Sequence, residues 1–126
     1  MRALKRSLVV LPIAATLSLV GTAAQAFDWD SVGWDAIANS QGARAYFQPD
    51  GEHLYIQDTL KDGHSAVSEI EYGSRHLTYW NPNGLDSTRD VNLDIAELTA
   101  VRYNACYGEY DGYKIIGCGY WKGARA

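Results

Sequence analysis

Histidine is the residue type of this chain best suited to acid–base or metal chemistry, because its side chain titrates near neutral pH. The chain has three, His53, His64 and His76. They do not stand in a spacing typical of a metal site, and no His-Glu-x-x-His segment is present. Ser65 follows His64, but neighbouring side chains on a strand point to opposite faces, so the two do not form a nucleophile–base pair. We therefore expect no metal site, no cofactor and no serine nucleophile.

Two sets of oxygen-bearing side chains stand at alternate positions and so would share a strand face. Glu69 and Glu71 could act as the acid and base of a glycosidase, although such pairs are more often a solvated acidic stripe. Asp90, Asn92 and Asp94 are of the type that binds calcium. On a regular strand they would be roughly 7 Å apart, which is too far for one ion. Both sets are therefore predicted to be solvated faces.

Aromatic residues are the strongest indication of function in the sequence. All fifteen follow residue 26, which is a high density for a short chain. Rings left at the surface provide flat platforms for sugars or anchor points for a protein partner, whereas the alternative is that most of them fill the core. The candidate binding surface comprises the rings beside the turn at 81–84 and around the last hairpin: Trp80, Tyr107, Tyr110, Tyr113 and Trp121.

Both cysteines lie in the last predicted hairpin, on either side of a turn at Asp111-Gly112. An even number of cysteines in an exported chain predicts a disulfide, here Cys106–Cys118. A bridge that closes a loop of this size stabilises a protein by about 3 kcal/mol, mainly by restricting the unfolded chain. Oxidation also removes the thiolate that a cysteine nucleophile would need.

The disulfide and the turn predict different strand registers. A two-residue turn at Asp111-Gly112 would place Tyr110 opposite Tyr113, whereas the disulfide register is offset from this by one residue. The two agree only if the hairpin contains a bulge or an odd-length loop. In the disulfide register three further pairs are expected: Tyr107 with Gly117, Ala105 with Gly119, and Tyr103 with Trp121. An aromatic ring that covers a strand glycine, as Tyr107 would, packs favourably. The opposite face would carry the disulfide, Ile116 and Tyr120.

From residue 42 onwards, apolar and polar residues alternate with the period of two that is typical of half-buried strands. Glycine-containing turns such as Pro49-Asp50-Gly51 and Lys61-Asp62-Gly63 separate the runs. About seven strands are predicted, at residues 42–48, 52–58, 65–72, 75–80, 90–95, 98–107 and 113–122. This pattern predicts an all-β fold, a small antiparallel β-sandwich with one disulfide over residues 42–126.

Residues 1–26 have the features of a secretory signal peptide, with Arg2, Lys5 and Arg6 before an apolar run and Ala24-Gln25-Ala26 at the cleavage site. Cleavage would leave eight of the eleven basic side chains and all fifteen acidic ones, a formal net charge of −7. This acidity argues against binding to nucleic acid or to an anionic membrane surface, and no stop-transfer segment follows the apolar run. We expect the protein to be secreted and extracellular, with no membrane association after cleavage.

Residues 27–41 allow two predictions. Ser31 could cap a short helix that ends at Ile37, with Trp34 and Ile37 on one side. Alternatively, the segment is a mobile tail, because Gly33 weakens a helix and chain ends are often loose.

Two segments, Asp62-Gly63-His64-Ser65-Ala66-Val67 and Cys106-Tyr107-Gly108-Glu109, resemble small, mostly uncharacterised secreted proteins of actinobacteria. The resemblance covers residues 51–120, nearly all of the predicted sheet. It implies secretion and a compact β-fold, and it supplies no catalytic residues. Such proteins carry a second cysteine pair that is missing here, where Tyr79 and Val91 stand near the corresponding positions.

Three functions are consistent with these features. The first is a non-catalytic binding module that contacts an extracellular protein or polysaccharide through the rings around Trp80 and Tyr110. The second is an inhibitor or antagonist of an extracellular enzyme, which would present the last hairpin as a rigid loop. The third is a small hydrolase, which would need a cleft that joins a histidine or a carboxylate pair.

Overall fold

The computed structural model describes residues 26–126. This part of the chain contains ten β-strands and two short 3₁₀ turns, joined by loops. The strands form two antiparallel sheets, which confirms the predicted all-β fold. Their bounds are β1 Ala38–Ser40, β2 Ala43–Gln48, β3 His53–Asp58, β4 Ser65–Tyr72, β5 Arg75–Asn81, β6 Thr88–Asn92, β7 Ala100–Tyr103, β8 Cys106–Glu109, β9 Lys114–Cys118 and β10 Lys122–Arg125. No helix within residues 26–126 is long and apolar enough to cross a membrane. The predicted signal peptide, apart from Ala26, lies outside the described residues.

The four-stranded sheet has the order β1-β2-β3-β6. β2 and β3 form a predicted hairpin, in which Ala45 lies opposite Ile56. The turn is closed by a hydrogen bond from the Glu52 amide to the Pro49 carbonyl at 3.2 Å. Gly51 has a φ of 85°, a conformation that favours glycine, so the turn residues of the sequence match the backbone that the hairpin requires.

The six-stranded sheet is built around β4. One edge of β4 pairs with β5, and the other edge pairs with β8 and β7, one after the other. β9 and β10 extend the sheet beyond β8 and β7. The single strands predicted at 98–107 and 113–122 are therefore each divided into two short strands that follow one another along the sheet.

The division between β7 and β8 falls at Asn104 and Ala105, although both strands keep the same register on β4. The Asn104 side chain takes the place of a backbone acceptor there, because its Oδ1 accepts a hydrogen bond from the Glu69 amide at 2.8 Å. The backbone amide of Asn104 in turn donates to the backbone carbonyl of Glu69 at 3.1 Å. The Ser68 hydroxyl donates to the backbone carbonyl of Asn104. The interrupted strand therefore stays attached to the centre of the sheet.

The main core lies between the two sheets and draws inward-facing side chains from both. The largest contributions come from Phe47, Leu54 and Ile56 of the four-stranded sheet and from Ile70, Val101 and Tyr103 of the six-stranded one. Alternate residues of β2, β3 and the second half of β4 supply this core, as the alternation in the sequence predicts. Burial of each large side chain stabilises the fold by roughly 1.5 to 3 kcal/mol.

Asn81 joins the two sheets from a fully buried position at the end of β5. Its side-chain amide donates to the carbonyl oxygens of Ile56 and Ser87, each at 3.0 Å. Its Oδ1 accepts from the Asn83 amide at 3.1 Å and from the Ser87 hydroxyl at 3.3 Å. All polar atoms of this side chain are thus satisfied, as a buried amide requires.

Residues 27–41 form neither the predicted short helix nor a tail. Two 3₁₀ turns, Trp29–Ser31 and Trp34–Ala36, precede β1 at the edge of the four-stranded sheet. Val32 and Gly33 have extended backbone between the turns, and this interrupts any continuous helix. The first turn is capped by the Asp28 carboxylate and not by Ser31, so the predicted cap is wrong.

The same segment covers the outer face of the four-stranded sheet with aromatic rings. Phe27 stacks on Tyr55 with the ring centroids 3.8 Å apart. Trp29 is buried, its indole N–H donates to the Thr88 hydroxyl at 3.1 Å, and the Arg44 guanidinium lies 4.4 Å from its ring. These contacts explain why the segment is held in place without a regular helix.

Candidate functional site

The predicted disulfide is confirmed, and it joins directly opposed residues of β8 and β9. The Cα atoms of Cys106 and Cys118 are 4.0 Å apart. Cys106 is buried on the outer face of the six-stranded sheet, where it packs with Val67 and Trp80 in a second, smaller apolar cluster. We refer to β8, β9 and the turn between them as the stapled hairpin.

The stapled hairpin contains a bulge, one of the two solutions that the sequence allows. The disulfide register holds for Tyr107 opposite Gly117, and then shifts by one residue, so that Gly108 lies opposite Ile115. The turn itself is closed by a hydrogen bond from the Tyr113 amide to the Tyr110 carbonyl at 3.1 Å. A two-residue turn and the disulfide therefore coexist because Ile116 is left without an opposite residue.

The bulge changes which isoleucine faces the disulfide. Ile115 packs against the cluster of Cys106, Val67 and Trp80, whereas the sequence predicts Ile116 on that face. Ile116 is exposed instead. The prediction for Ile116 is wrong because one extra residue in a strand reverses the direction of the side chains on one side of it.

Two glycines of this region are covered closely, Gly117 by its predicted partner Tyr107 and Gly119 by β1, which the sequence does not predict. A methyl group at Gly117 would come within 2.8 Å of the Tyr107 ring, which confirms that the ring lies on this glycine. A methyl group at Gly119 would overlap the carbonyl oxygen of Asn39 in β1. Gly119 also donates its amide hydrogen to the Ala105 carbonyl at 2.9 Å. The absence of a side chain here lets the edge of one sheet approach the other.

A second register shift separates β9 from β10. The sequence predicts Tyr103 opposite Trp121, but Lys122 occupies that position, so this pair is wrong. One extra residue between Cys118 and Lys122 turns the Trp121 ring to the outer face of the six-stranded sheet. There the Arg102 guanidinium lies 4.3 Å from the ring, a cation–π contact.

The candidate binding rings separate into three places. Trp80, Tyr110 and Tyr113 come together, and we call these three rings the aromatic tip. Tyr107 lies on Gly117 and near the His64 ring at 5.7 Å, and Trp121 lies beneath Arg102.

Rings of the aromatic tip meet edge to face. The centroid distances are 6.0 Å from Trp80 to Tyr110, 5.8 Å from Trp80 to Tyr113, and 5.3 Å between the two tyrosines. Trp80 is only 8% exposed, whereas Tyr110 is 44% and Tyr113 66% exposed. A hydrogen bond with Tyr110 raises the pKa of the Tyr113 hydroxyl. The tip is thus two exposed phenols held on a buried indole.

The carboxylates of Glu69 and Glu71 share the outer face of β4, as predicted, and both contact His76. The His76 ring nitrogens lie 2.6 Å from Glu71 and 3.2 Å from Glu69. The Glu71 carboxylate also accepts a hydrogen bond from the Arg102 guanidinium at 2.6 Å. The side-chain amide of Asn104 donates to the Glu69 carboxylate at 2.8 Å. We refer to Glu69, Glu71, His76 and Arg102 as the ionic network.

The hydrogen bonds and charges of the ionic network shift the pKa values of Glu71 and His76 in opposite directions. The hydrogen bond from Arg102 holds the pKa of Glu71 below its usual value. Hydrogen bonds to Glu71 and then Glu69 raise the pKa of His76. A glycosidase acid needs a carboxyl group whose pKa is raised, so the direction at Glu71 is opposite to that requirement.

The other two histidines also lie beside carboxylates. His53 is 2.7 Å from Asp90, and His64 is 2.5 Å from Glu109. The Asp90 carboxylate thus contacts a histidine of the adjacent strand, β3. It is not directed at the oxygen-bearing residues that follow it in the chain, as a calcium site would require.

Metal-ligating atoms of three or more side chains converge at one place within residues 26–126. The residues there are Glu69, Cys106 and Cys118, and the two sulfur atoms are bonded to each other. A disulfide sulfur is not a thiolate, so this group is not a metal site in the oxidised protein.

Two exposed aromatic side chains lie outside the predicted surface. Trp34 is 77% and Tyr120 is 90% exposed, and both line a groove of about 560 Å³. The sequence carries no signal that separates Trp34 from Trp29 of the same segment, which is buried. Tyr120 gives no signal either, because its exposure follows from the irregular backbone between β9 and β10.

Comparison of the chain with protein-family models, with curated proteins and with solved structures finds no match.

Proposed function

We propose that the protein is a secreted, non-catalytic binding module whose contact surface is centred on the aromatic tip. The observation that carries this proposal is the presence of two exposed tyrosine rings on a buried tryptophan, at the end of a disulfide-linked hairpin. Exposed aromatic rings in a cluster are typical of interaction sites, because they supply a large contact area with little loss of side-chain freedom.

The position of the tip supports a role beyond core packing. Phe47 and Tyr103 serve the main core between the two sheets, where their centroids are 6.3 Å apart, whereas the tip lies on the outer face of the six-stranded sheet. Tyr110 and Tyr113 would remain largely in water in an isolated molecule. A rigid hairpin would lose little entropy when it binds, so these rings can contribute most of their burial energy to affinity.

Secretion is part of the same proposal. It is supported by the signal-peptide features of residues 1–26 and by the disulfide, which persists in oxidising compartments. The partner is then an extracellular protein or a polysaccharide. The acidic balance of residues 27–126 disfavours nucleic acid.

A binding assay on arrays of secreted proteins and polysaccharides tests the role of the tip. The double variant Tyr110→Ala, Tyr113→Ala should lose roughly tenfold or more in apparent affinity for whatever the wild type captures. Leu85→Ala, an exposed apolar residue elsewhere, should bind as the wild type does. Equal binding by all three proteins would show that the tip is not the contact surface.

Inhibition of an extracellular enzyme is a second candidate, and the shape of the stapled hairpin favours it. Tyr110 to Lys114 are five consecutive exposed residues on a cross-linked loop, as in a rigid inhibitory loop. Inhibition of a panel of extracellular hydrolases should then disappear when the disulfide is reduced and alkylated. Retained inhibition by the alkylated protein would rule out the hairpin as the inhibitory element.

A further inference from the structure

The Trp34 ring stands between two adjoining grooves on the side of the molecule where the 3₁₀ turns meet β1. The larger groove, about 560 Å³, is also lined by Asp35, Tyr120 and Lys122. The smaller groove, about 340 Å³, is also lined by Asp30 and Arg44. Both volumes fall within the range of roughly 300 to 1,000 Å³ that is typical of ligand sites. We call the larger one the Trp34 groove.

Trp34 is exposed on a backbone that is held in place. The buried Tyr103 hydroxyl donates to the Ala36 carbonyl at 2.5 Å, and burial raises the pKa of this hydroxyl to about 12. The Ile37 amide donates to the Trp34 carbonyl at 3.2 Å, which closes the second 3₁₀ turn. An indole that is exposed on a fixed turn is preorganised for a contact outside the molecule.

The chemistry of the lining residues identifies a class of ligand. We propose that the Trp34 groove binds a neutral oligosaccharide, whose C–H faces stack on Trp34 and Tyr120 and whose hydroxyls bond to Asp35, Asn39 and Lys122. Sugars present both an apolar face and a ring of hydroxyls, and the groove combines two exposed rings with polar and charged side chains. This goes beyond the proposed function, since it assigns a second surface and a ligand class that the aromatic tip does not require.

Charge favours a neutral ligand over an anionic one. The Trp34 groove has one carboxylate, Asp35, and one ammonium group, Lys122. The smaller groove likewise has Asp30 and Arg44. With one charge of each sign in each groove, a polyanion meets repulsion as well as attraction, whereas a neutral sugar can accept hydrogen bonds from one group and donate to the other.

Backbone packing disfavours an extended peptide as the ligand. β1 is the edge strand on this side of the four-stranded sheet, and an exposed edge is the usual site of peptide strand addition. The Asn39 carbonyl in the middle of β1 is covered by Gly119, so close that a methyl group on Gly119 would overlap it. The edge therefore does not offer a free ladder of backbone groups to a peptide.

Native gel retardation tests the proposal with soluble neutral polysaccharides (a β-glucan, a mannan, a xylan and a galactan), with alginate as the anionic counterpart. The wild type should be retarded by at least one neutral polymer. Trp34→Ala and Tyr120→Ala should each weaken the retardation by about tenfold, while the tip variant Tyr110→Ala should not change it. Because both groove rings are exposed, thermal unfolding of the two variants should match that of the wild type.

The alternative outcomes are distinct. Failure of all the neutral polymers to retard the wild type, or equal retardation of Trp34→Ala, would overturn the assignment. Retardation by alginate alone would point to an anionic ligand and contradict the charge argument. Loss of retardation in Tyr110→Ala but not in Trp34→Ala would move sugar binding to the aromatic tip, which would leave the proposed function intact and refute the groove.

Discussion

His76 is the residue whose surroundings predict a measurable pH effect. Its pKa is raised above 6.5 by Glu71 and Glu69, so its contribution to stability is complete below pH 6.5 and is lost as the pH rises through the raised value. The pKa of Glu71 is lowered below 4.5, chiefly by Arg102, so its contribution is complete above pH 4.5 and is lost as the pH falls through the lowered value. The ionic network should therefore stabilise the fold most between about pH 4.5 and 6.5.

An NMR titration of the His76 ring checks this prediction. The measured pKa of His76 should exceed 6.5 in the wild type. It should fall in Glu71→Gln, because the neutral amide has no negative charge to stabilise the imidazolium. An unchanged His76 pKa in Glu71→Gln would contradict the geometry of the network.

Gly119 is the residue at which the smallest substitution should do the most damage. Gly119→Ala places a methyl group on the Asn39 carbonyl, and relief requires β1 to move away from the chain after β9. We expect a loss of about 2 to 4 kcal/mol in the free energy of unfolding, measured by chemical denaturation. Gly123→Ala is the matched control, since a methyl group there has its nearest neighbour at 3.9 Å and should change stability by less than about 0.5 kcal/mol. Similar losses in both variants would show that close packing is not the cause.

The stapled hairpin is the element with the clearest stability prediction. The disulfide spans 12 residues, so its removal in Cys106→Ala, Cys118→Ala should lower the free energy of unfolding by about 3 kcal/mol. Denaturant titration of the wild type with and without reductant gives an independent value. The variant should lose nothing further on reduction; a further loss would mean that the reductant acts on something other than the bridge.

The elements of this fold could be predicted well where the contacts are local. The hairpin of β2 and β3 follows from alternation and an Asp-Gly turn. Counting residues between Cys106 and Cys118 shows that the stapled hairpin needs a bulge or an odd-length loop, and the structure has the bulge. The break at Asn104 could not be predicted, because it depends on a hydrogen bond to Glu69, 35 residues earlier in the chain. The second register shift, which directs Trp121, has the same kind of long-range origin.

At the level of the whole molecule, the union of the two sheets depends on one buried amide as well as on the apolar core. Asn81→Ala should lower the free energy of unfolding by about 2 to 4 kcal/mol, because carbonyl groups of Ile56 and Ser87 lose their donor in a buried place. Asn83→Ala is the control, since Asn83 is exposed and uses only its backbone amide in this contact. A smaller loss for Asn81→Ala than for Asn83→Ala, measured by thermal and chemical unfolding, would refute this role.

The sequence alone determined the features that depend on local pattern and on covalent chemistry. A period of two with regular turns leaves little alternative to an all-β fold, and two cysteines on opposed strands give one disulfide. Tertiary structure decided which aromatic rings meet. Trp80 joins Tyr110 and Tyr113 while Trp121 turns to Arg102, and Trp34 becomes exposed beside Tyr120. The reason is that these positions depend on contacts between residues distant in the chain. The pairing of β10 with β7 sets the register that turns Trp121 to the opposite face, and the Tyr103 hydroxyl holds the turn that exposes Trp34.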